Sequence, residues 1–141
     1  MLRMEIALFL VLSFVAFIYF SAERKHTPLH RTFSILLIVV LIHLICDSLT
    51  IYTVNHLDTV PRLLNDILHR FFVGTMVLVL HLFYQYIAAL VGEETGKPRR
   101  FELAAGIFLI AAEIGTMVMP IHYTVTPSGN YSDGLYASVC Y

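Results

Sequence analysis

The stretch LIHLICDSLTIY, which runs from Leu41 to Tyr52, belongs to the apolar run that decides the fold. It also places two ionisable residues inside that run. The apolar run begins at Phe33, so the segment 33–53 is long enough to cross a bilayer as a helix. His43 and Asp47 lie inside it, and in lipid both side chains would need partners within the protein. The stretch therefore raises two questions, whether the chain spans a membrane and what the pair does there.

The composition is typical of a membrane protein. Hydrophobic residues make up 58% of the 141 residues and charged residues only 13%, whereas a soluble domain carries about 25% charged residues. The apolar segments predict an all-α, multi-pass transmembrane helical bundle of four spans. Glu5 and the bulky pair Tyr19 and Phe20 argue against a cleaved signal peptide at the N-terminus. The predicted spans are about 5–21, 33–53, 71–91 and 101–121.

The tail, residues 122–141, differs in kind from the rest of the chain. A cluster of Pro, Ser, Gly, Asn and Asp separates Tyr123–Thr126 from Leu135–Val139, and this pattern predicts a short extracytoplasmic β-hairpin. The last residues turn apolar again, so we expect the tail to lead to a further span outside this chain. Cys46 and Cys140 lie in different regions, and no disulfide is expected between them.

Positive charges predict how the spans are oriented. Lys and Arg are concentrated in the loops 22–32 and 92–100, and the tail contains neither. Because these residues collect on the cytoplasmic side of a membrane, both loops are predicted to be cytoplasmic. The N-terminus, the loop 53–70 and the tail then lie outside. Within that loop, PRLLNDILHR (61–70) predicts an interfacial helical turn, because its leucines and isoleucine share one face.

Three spans carry one polar or small face each, since residues i, i+3, i+4 and i+7 of a helix lie together. Depths estimated from the span centres place His43, His81 and Glu113 near one plane, with Asp47 slightly outside it. A charge at that depth costs at least about 2.5–3.5 kcal/mol. We therefore predict a polar centre that binds a ligand or senses protons. Its candidate residues are His43, Asp47, His81, Gln85 and Glu113.

Other interpretations of these residues stay open. They could be structural ties between helices, each worth about 0.6 kcal/mol on average. Two histidines with a glutamate and an aspartate are also an acceptable zinc ligand set, but no two of these four residues have HxxxH or HExxH spacing. We predict no metal and no cofactor. The sequence also lacks GxSxG, CxxC and a phosphate-binding glycine loop, so no catalytic residue is predicted and the chain alone is not expected to be an enzyme.

The central part of the chain, residues 44–87, resembles the N-terminal membrane region of bacterial receptor-type signalling enzymes. These are multi-pass sensors, often of seven or eight helices, that precede diguanylate cyclase (GGDEF) or histidine kinase domains. The resemblance extends to the tail. It rests on Asp47, Tyr52–Asn55, Thr59–Pro61 with Leu64 and Asn65, Phe83–Ile87, and Asn130–Tyr136.

The resemblance implies a sensory input module in the inner (plasma) membrane of a bacterium, with the output domain absent from this chain. The expected partners are the lipid bilayer, an unknown small ligand or proton, a cytoplasmic output domain in cis or in trans, and a second copy in a homodimer. Nucleic acid is not an expected partner. Two alternatives stay open: a small transport or channel subunit, for which midplane ionisable groups would relay ions, and a structural partner of a larger membrane complex.

Overall fold

The computed structural model describes residues 2–23, 27–95, 102–126 and 129–133. This part of the chain is mainly helical, as the sequence predicted, and ends in a short antiparallel hairpin. Helices α1, α2 and α3 are long and apolar enough to cross a membrane. The elements are α1 (Leu2–Ser21), α2 (Pro28–Asn55), α3 (Arg62–Thr95), α4 (Glu102–Val118), β1 (His122–Thr126) and β2 (Gly129–Asp133).

Helices α1, α2 and α3 all begin earlier than the hydrophobic pattern predicts, and the difference is largest for α2 and α3. Helix α2 begins at Pro28, where the fixed φ of proline suits the first turn, and the Thr27 hydroxyl accepts a hydrogen bond from the His30 N–H at 3.3 Å. Helix α3 begins at Arg62, directly after Pro61. The segment predicted as a separate interfacial turn is therefore the first part of α3, because nothing in it interrupts the helical backbone.

Helix α4 is shorter than the span predicted at 101–121. It has 17 residues, or about 26 Å at 1.5 Å per residue, against a hydrocarbon core of about 30 Å. It ends at Val118 because Pro120 lacks an N–H and disfavours helical geometry in the residue before it. Within the described segments, three helices rather than four meet the length of a membrane crossing.

The helices pack in chain order, α1 on α2, α2 on α3 and α3 on α4, and β2 contacts α2. One end of the array, called here the hairpin end, holds the C-terminus of α2, the N-terminus of α3 and the C-terminus of α4. Its apolar cluster contains Val73 and Ile121, with Phe72, Met76 and Tyr123 packed around them. The hairpin is thereby fixed to α3 by packing as well as by hydrogen bonds.

The opposite end joins α1 to α2. Buried Ala16 and Tyr19 of α1 pack on Leu37 of α2. The Tyr19 ring lies 4.8 Å from the Phe33 ring, and its hydroxyl donates a hydrogen bond to the His30 carbonyl at 3.1 Å. Tyr19 therefore fixes both the spacing and the register of this helix pair.

The hairpin is tighter than the sequence predicted. Strand β1 covers the expected residues, but it pairs with β2 in a register that sets Thr126 opposite Gly129 and His122 opposite Asp133. The segment that we had assigned to the turn supplies the second strand. Leu135–Val139, the predicted second strand, lies outside the described residues.

Shortening Tyr19 should weaken the α1–α2 pair in two steps. Tyr19→Phe removes the hydroxyl with its hydrogen bonds to His30 and Ser34, and should lower the free energy of unfolding by about 0.6 kcal/mol per lost bond. Tyr19→Ala also leaves a cavity among packed side chains and should cost about 3 kcal/mol. Phe17→Ala is the matched control, since that ring is 69% exposed. Unfolding by SDS in mixed micelles measures all three, and equal losses at positions 17 and 19 would contradict the packing assignment.

Candidate functional site

The closest polar contact between α2 and α3 joins His43 to Thr75. The His43 Nδ1 atom lies 2.9 Å from the Thr75 hydroxyl. The imidazole also stacks on Phe72, with ring centroids 5.1 Å apart and planes 16° from parallel. His43 is half-buried, so its ring is held between a hydroxyl and an aromatic face of the neighbouring helix.

The hydrogen-bond network assigns the proton on His43. Thr75 donates its hydroxyl hydrogen to the Phe72 carbonyl at 2.9 Å, so toward His43 it acts as the acceptor. Nδ1 therefore carries the proton, and Nε2 of the neutral ring is the unprotonated nitrogen. A proton arriving at His43 would bind Nε2 and leave the bond to Thr75 in place.

Acidic groups lie on the hairpin side of His43. Asp47 follows it by one helical turn, and its charge acts on the His43 ring and on the carboxylate of Glu5 in α1. One oxygen of Glu5 is buried without a hydrogen-bond partner. Asp47 thus lies between a histidine of its own helix and a carboxylate of α1, and the total charge of such a coupled group depends on proton uptake.

Glu113 reaches the same level of α3 from another side. A Cβ atom placed on Gly74 would lie 3.1 Å from Oε2 of Glu113, so the glycine leaves room for the carboxylate. Gly74 and Thr75 are consecutive and project about 100° apart on the helix. Glu113 and His43 therefore approach α3 from different directions, and within the described segments no hydrogen bond joins them.

His81 and Gln85 form a separate pair, which corrects the prediction of a single polar plane. The Gln85 amide lies 2.9 Å from Nε2 of His81, one turn away on α3. Because His43 is level with Thr75, His81 lies six residues farther along α3, or about 9 Å from that level. The earlier start of α3 at Arg62 moves the centre of the helix by only about 4 Å, so most of the difference comes from the register between α2 and α3, which packing sets.

Arg70 binds the C-terminal end of α4. Its guanidinium donates to the Thr116 carbonyl at 2.8 Å and to the Met119 carbonyl at 3.2 Å. The last carbonyls of a helix lack partners within the helix, and a cation there is also attracted by the negative end of the helix dipole. From the sequence we assigned Arg70 only as a charge in the loop 53–70. Its position just before an apolar segment is nevertheless compatible with binding the carbonyls at the end of a neighbouring helix.

Hydrogen bonds attach the hairpin to both long helices. The Asn130 amide donates to the Val54 carbonyl in the last turn of α2 at 3.0 Å. The Tyr123 hydroxyl donates to Asp66 of α3 at 2.8 Å, and its ring meets His69 edge-on with centroids 5.4 Å apart. The sequence predicted the hairpin but not these contacts, because the partners are far apart in the chain.

Asn65 is the most enclosed polar residue at the hairpin end. Its exposed fraction is 0%, and neither its amide nitrogen nor its side-chain oxygen has a hydrogen-bond partner among the residues that the structure describes. The neighbouring His69 is also buried, and its Nδ1 atom lies 3.1 Å from the Asn65 carbonyl. In the sequence, Asn65 stood out only as one of the residues that carry the resemblance. A single sequence does not reveal that its side chain is buried.

Metal binding finds no support from the geometry of the described segments. No three His, Cys, Asp or Glu side chains there come close enough together to hold an ion. Cys46 is a free thiol in α2, and Cys140 lies outside the described residues. Comparisons of the chain with protein-family models, curated proteins and solved structures find no match. The residues themselves therefore carry the functional argument.

A double-mutant cycle should detect the bond between His43 and Thr75. We expect Thr75→Val and His43→Phe to show a coupling energy of about 0.6 kcal/mol, and no more than about 1.7 kcal/mol. Thr75→Ser keeps the hydroxyl and should keep the coupling. The free energy of unfolding in mixed micelles is the readout. Additive single effects would show that the two side chains do not interact.

Substitutions of glycine should distinguish the contact of Glu113 with α3 from helix propensity. Gly106→Ala meets open space and should stabilise the protein by about 1 kcal/mol. Gly74→Ala should gain less, because the new methyl group displaces the Glu113 carboxylate. Adding Glu113→Ala to Gly74→Ala should restore the gain. Equal stabilisation by the two single alanines would contradict the close approach of Glu113.

Proposed function

We propose that this chain is a membrane-embedded sensory input module for a cytoplasmic signalling output, either cyclic di-GMP synthesis or a histidine kinase. In this proposal α4 is the fourth span, the hairpin end faces outward, and the loops 22–32 and 92–100 are cytoplasmic. The length and apolar character of α1, α2 and α3 support a membrane location. The distribution of Lys and Arg between loops and tail supports the orientation.

The observation that carries the proposal is the attachment of the hairpin to the ends of α2 and α3 through Asn130 and Tyr123. These helices have 28 and 34 residues and reach from the hairpin end to the opposite end. A ligand that moves the hairpin would therefore shift the ends of both helices together. A ligand shifts such an equilibrium only if it prefers one arrangement of the helices, and in this proposal the two attachments transmit that preference from the hairpin to α2 and α3.

The His43–Thr75 contact gives the same pair of helices a second input. A proton added to His43 puts a charge between α2 and α3, close to Asp47. A local change of charge can bias a packed helix pair between two arrangements. Helix shifts in such switches are about 1–2 Å, which is within the range of spin-label distance measurements.

Glu113 favours proton transport as a second candidate function. Among the described residues its carboxylate has no hydrogen-bond partner, although it lies between two apolar helices. Ionisable groups in such positions often mark proton pathways. A transporter would show proton flux into proteoliposomes that Glu113→Gln abolishes, whereas a sensor would show none.

The sensor proposal is tested by distances between spin labels at positions 32 and 93, near the opposite ends of α2 and α3 from the hairpin. Both cysteines are first replaced by serine, and the protein is placed in nanodiscs. Tyr123→Phe with Asn130→Ala should shift the distance distribution by about 1–2 Å. Acidification should also shift the distances in the parent, but not in His43→Phe.

Val125→Ala is the matched control, since that side chain lies on β1 and is 72% exposed. It should leave the distances unchanged. Distances that stay the same in the hairpin double variant and at every pH would overturn the sensor proposal. Proton flux dependent on Glu113 would then establish the transport function instead.

A further inference from the structure

The end of the array opposite the hairpin holds a groove of about 1000 Å³ between the C-terminus of α1 and the first turns of α2. Its lining residues are of two kinds. Phe20 and Ile35 are apolar and exposed, at 53% and 40%. His30 and Arg31 are polar and carry nitrogen groups. The groove thus matches a molecule with a polar head and an apolar tail.

The cationic group in this groove has no partner among the described residues. No hydrogen bond or ion pair engages the guanidinium of Arg31, which is exposed. The hydroxyl hydrogens of Ser34 and Thr32 are occupied, because Ser34 donates to the His30 carbonyl at 2.8 Å and Thr32 to the Pro28 carbonyl at 3.1 Å. Arg31 is the charged group available to an incoming anion, and its planar fork suits the oxygens of a phosphate.

The position of the groove along α2 points to the membrane surface. The polar lining residues His30 and Arg31 precede Phe33, where the apolar run begins, whereas the lining residue Ile35 lies inside that run. Arg24 and Lys25 follow α1 in the sequence and add positive charge to the same loop. Basic pockets beside transmembrane helices at this level bind the head groups of anionic lipids.

We propose that this groove binds one anionic phospholipid, with its phosphate on Arg31 and an acyl chain along Phe20 and Ile35. The proposal requires insertion of the chain in a bilayer, but it does not depend on the sensory function. The groove lies at the other end of α2 from the hairpin attachment, so the two proposals can fail separately. Bound lipid would fill the space between α1 and α2 at the membrane surface.

The test is native mass spectrometry of the whole chain released from mixed micelles of phosphatidylcholine and phosphatidylglycerol. The parent should retain one phosphatidylglycerol in preference to phosphatidylcholine. Arg31→Gln should lower the ratio of bound phosphatidylglycerol to phosphatidylcholine about fivefold, the change expected from one surface cation. Arg31→Lys should fall between the two, because it keeps the charge but not the planar fork.

Arg62→Gln is the matched control. It removes the same charge from an exposed site at the hairpin end, outside the groove, and should leave the preference unchanged. An Arg31→Gln variant that retains phosphatidylglycerol like the parent would overturn the proposal, and so would equal losses in the two glutamine variants. Displacement of the lipid by inorganic phosphate alone would also overturn it, because the site would then recognise the free anion.

Discussion

Helix α2 packs along helix α3, and every other element attaches to one or both of these two helices. Helix α1 is held by α2, α4 is held by α3, and the hairpin contacts both members of the pair. In lipid the hydrophobic effect does not press helices together, so close packing and hydrogen bonds between them have to do so. The stacking and hydrogen bonding of His43 against α3 are contacts of this kind in the middle of the pair. If α2 and α3 separated, the remaining elements would have no common support.

The ends of the helices obey a second constraint, that buried backbone groups need partners. At the hairpin end this need is met by side chains from elsewhere in the chain. Arg70 supplies donors to the carbonyls at the end of α4, and Asn130 supplies one to the last turn of α2. Each contact joins two elements while it completes the hydrogen bonding of a helix end. The same residues therefore satisfy the backbone and fix the relative position of the elements.

The features that follow from local sequence were predicted well. Apolar length located α1, α2 and α3, and the cluster of turn residues after Pro120 located the hairpin. Polarity alone could not fix the limits of α3, because residues 62–70 are amphipathic and a helix continues as readily through them as through the apolar part. The second strand was misplaced for a related reason, since Gly129–Asp133 contains turn-forming residues that nevertheless pair with β1.

The candidate site was predicted only as a set of residue types. The sequence singled out His43, Asp47 and Glu113 because ionisable groups are unusual in apolar segments, and it grouped them with His81 by estimated depth. Which partners they meet depends on the rotation and register of neighbouring helices, and these are set by packing. Thr75 was missed because a threonine in a span carries no charge, and Gly74 because its importance comes from what it leaves room for.

The buried amide of Asn65 has a consequence for how the molecule moves. A polar group enclosed without a partner costs about 1–3 kcal/mol, so the first turns of α3 contribute less to overall stability than their depth of burial suggests. Local opening is most frequent where the native contacts stabilise the folded state least. Amide hydrogens around Asn65 should therefore exchange with solvent before those in the middle of α3. The first turns of α3, on which the hairpin packs, would then open locally more often than the middle of the helix pair, which would stay folded during such an opening.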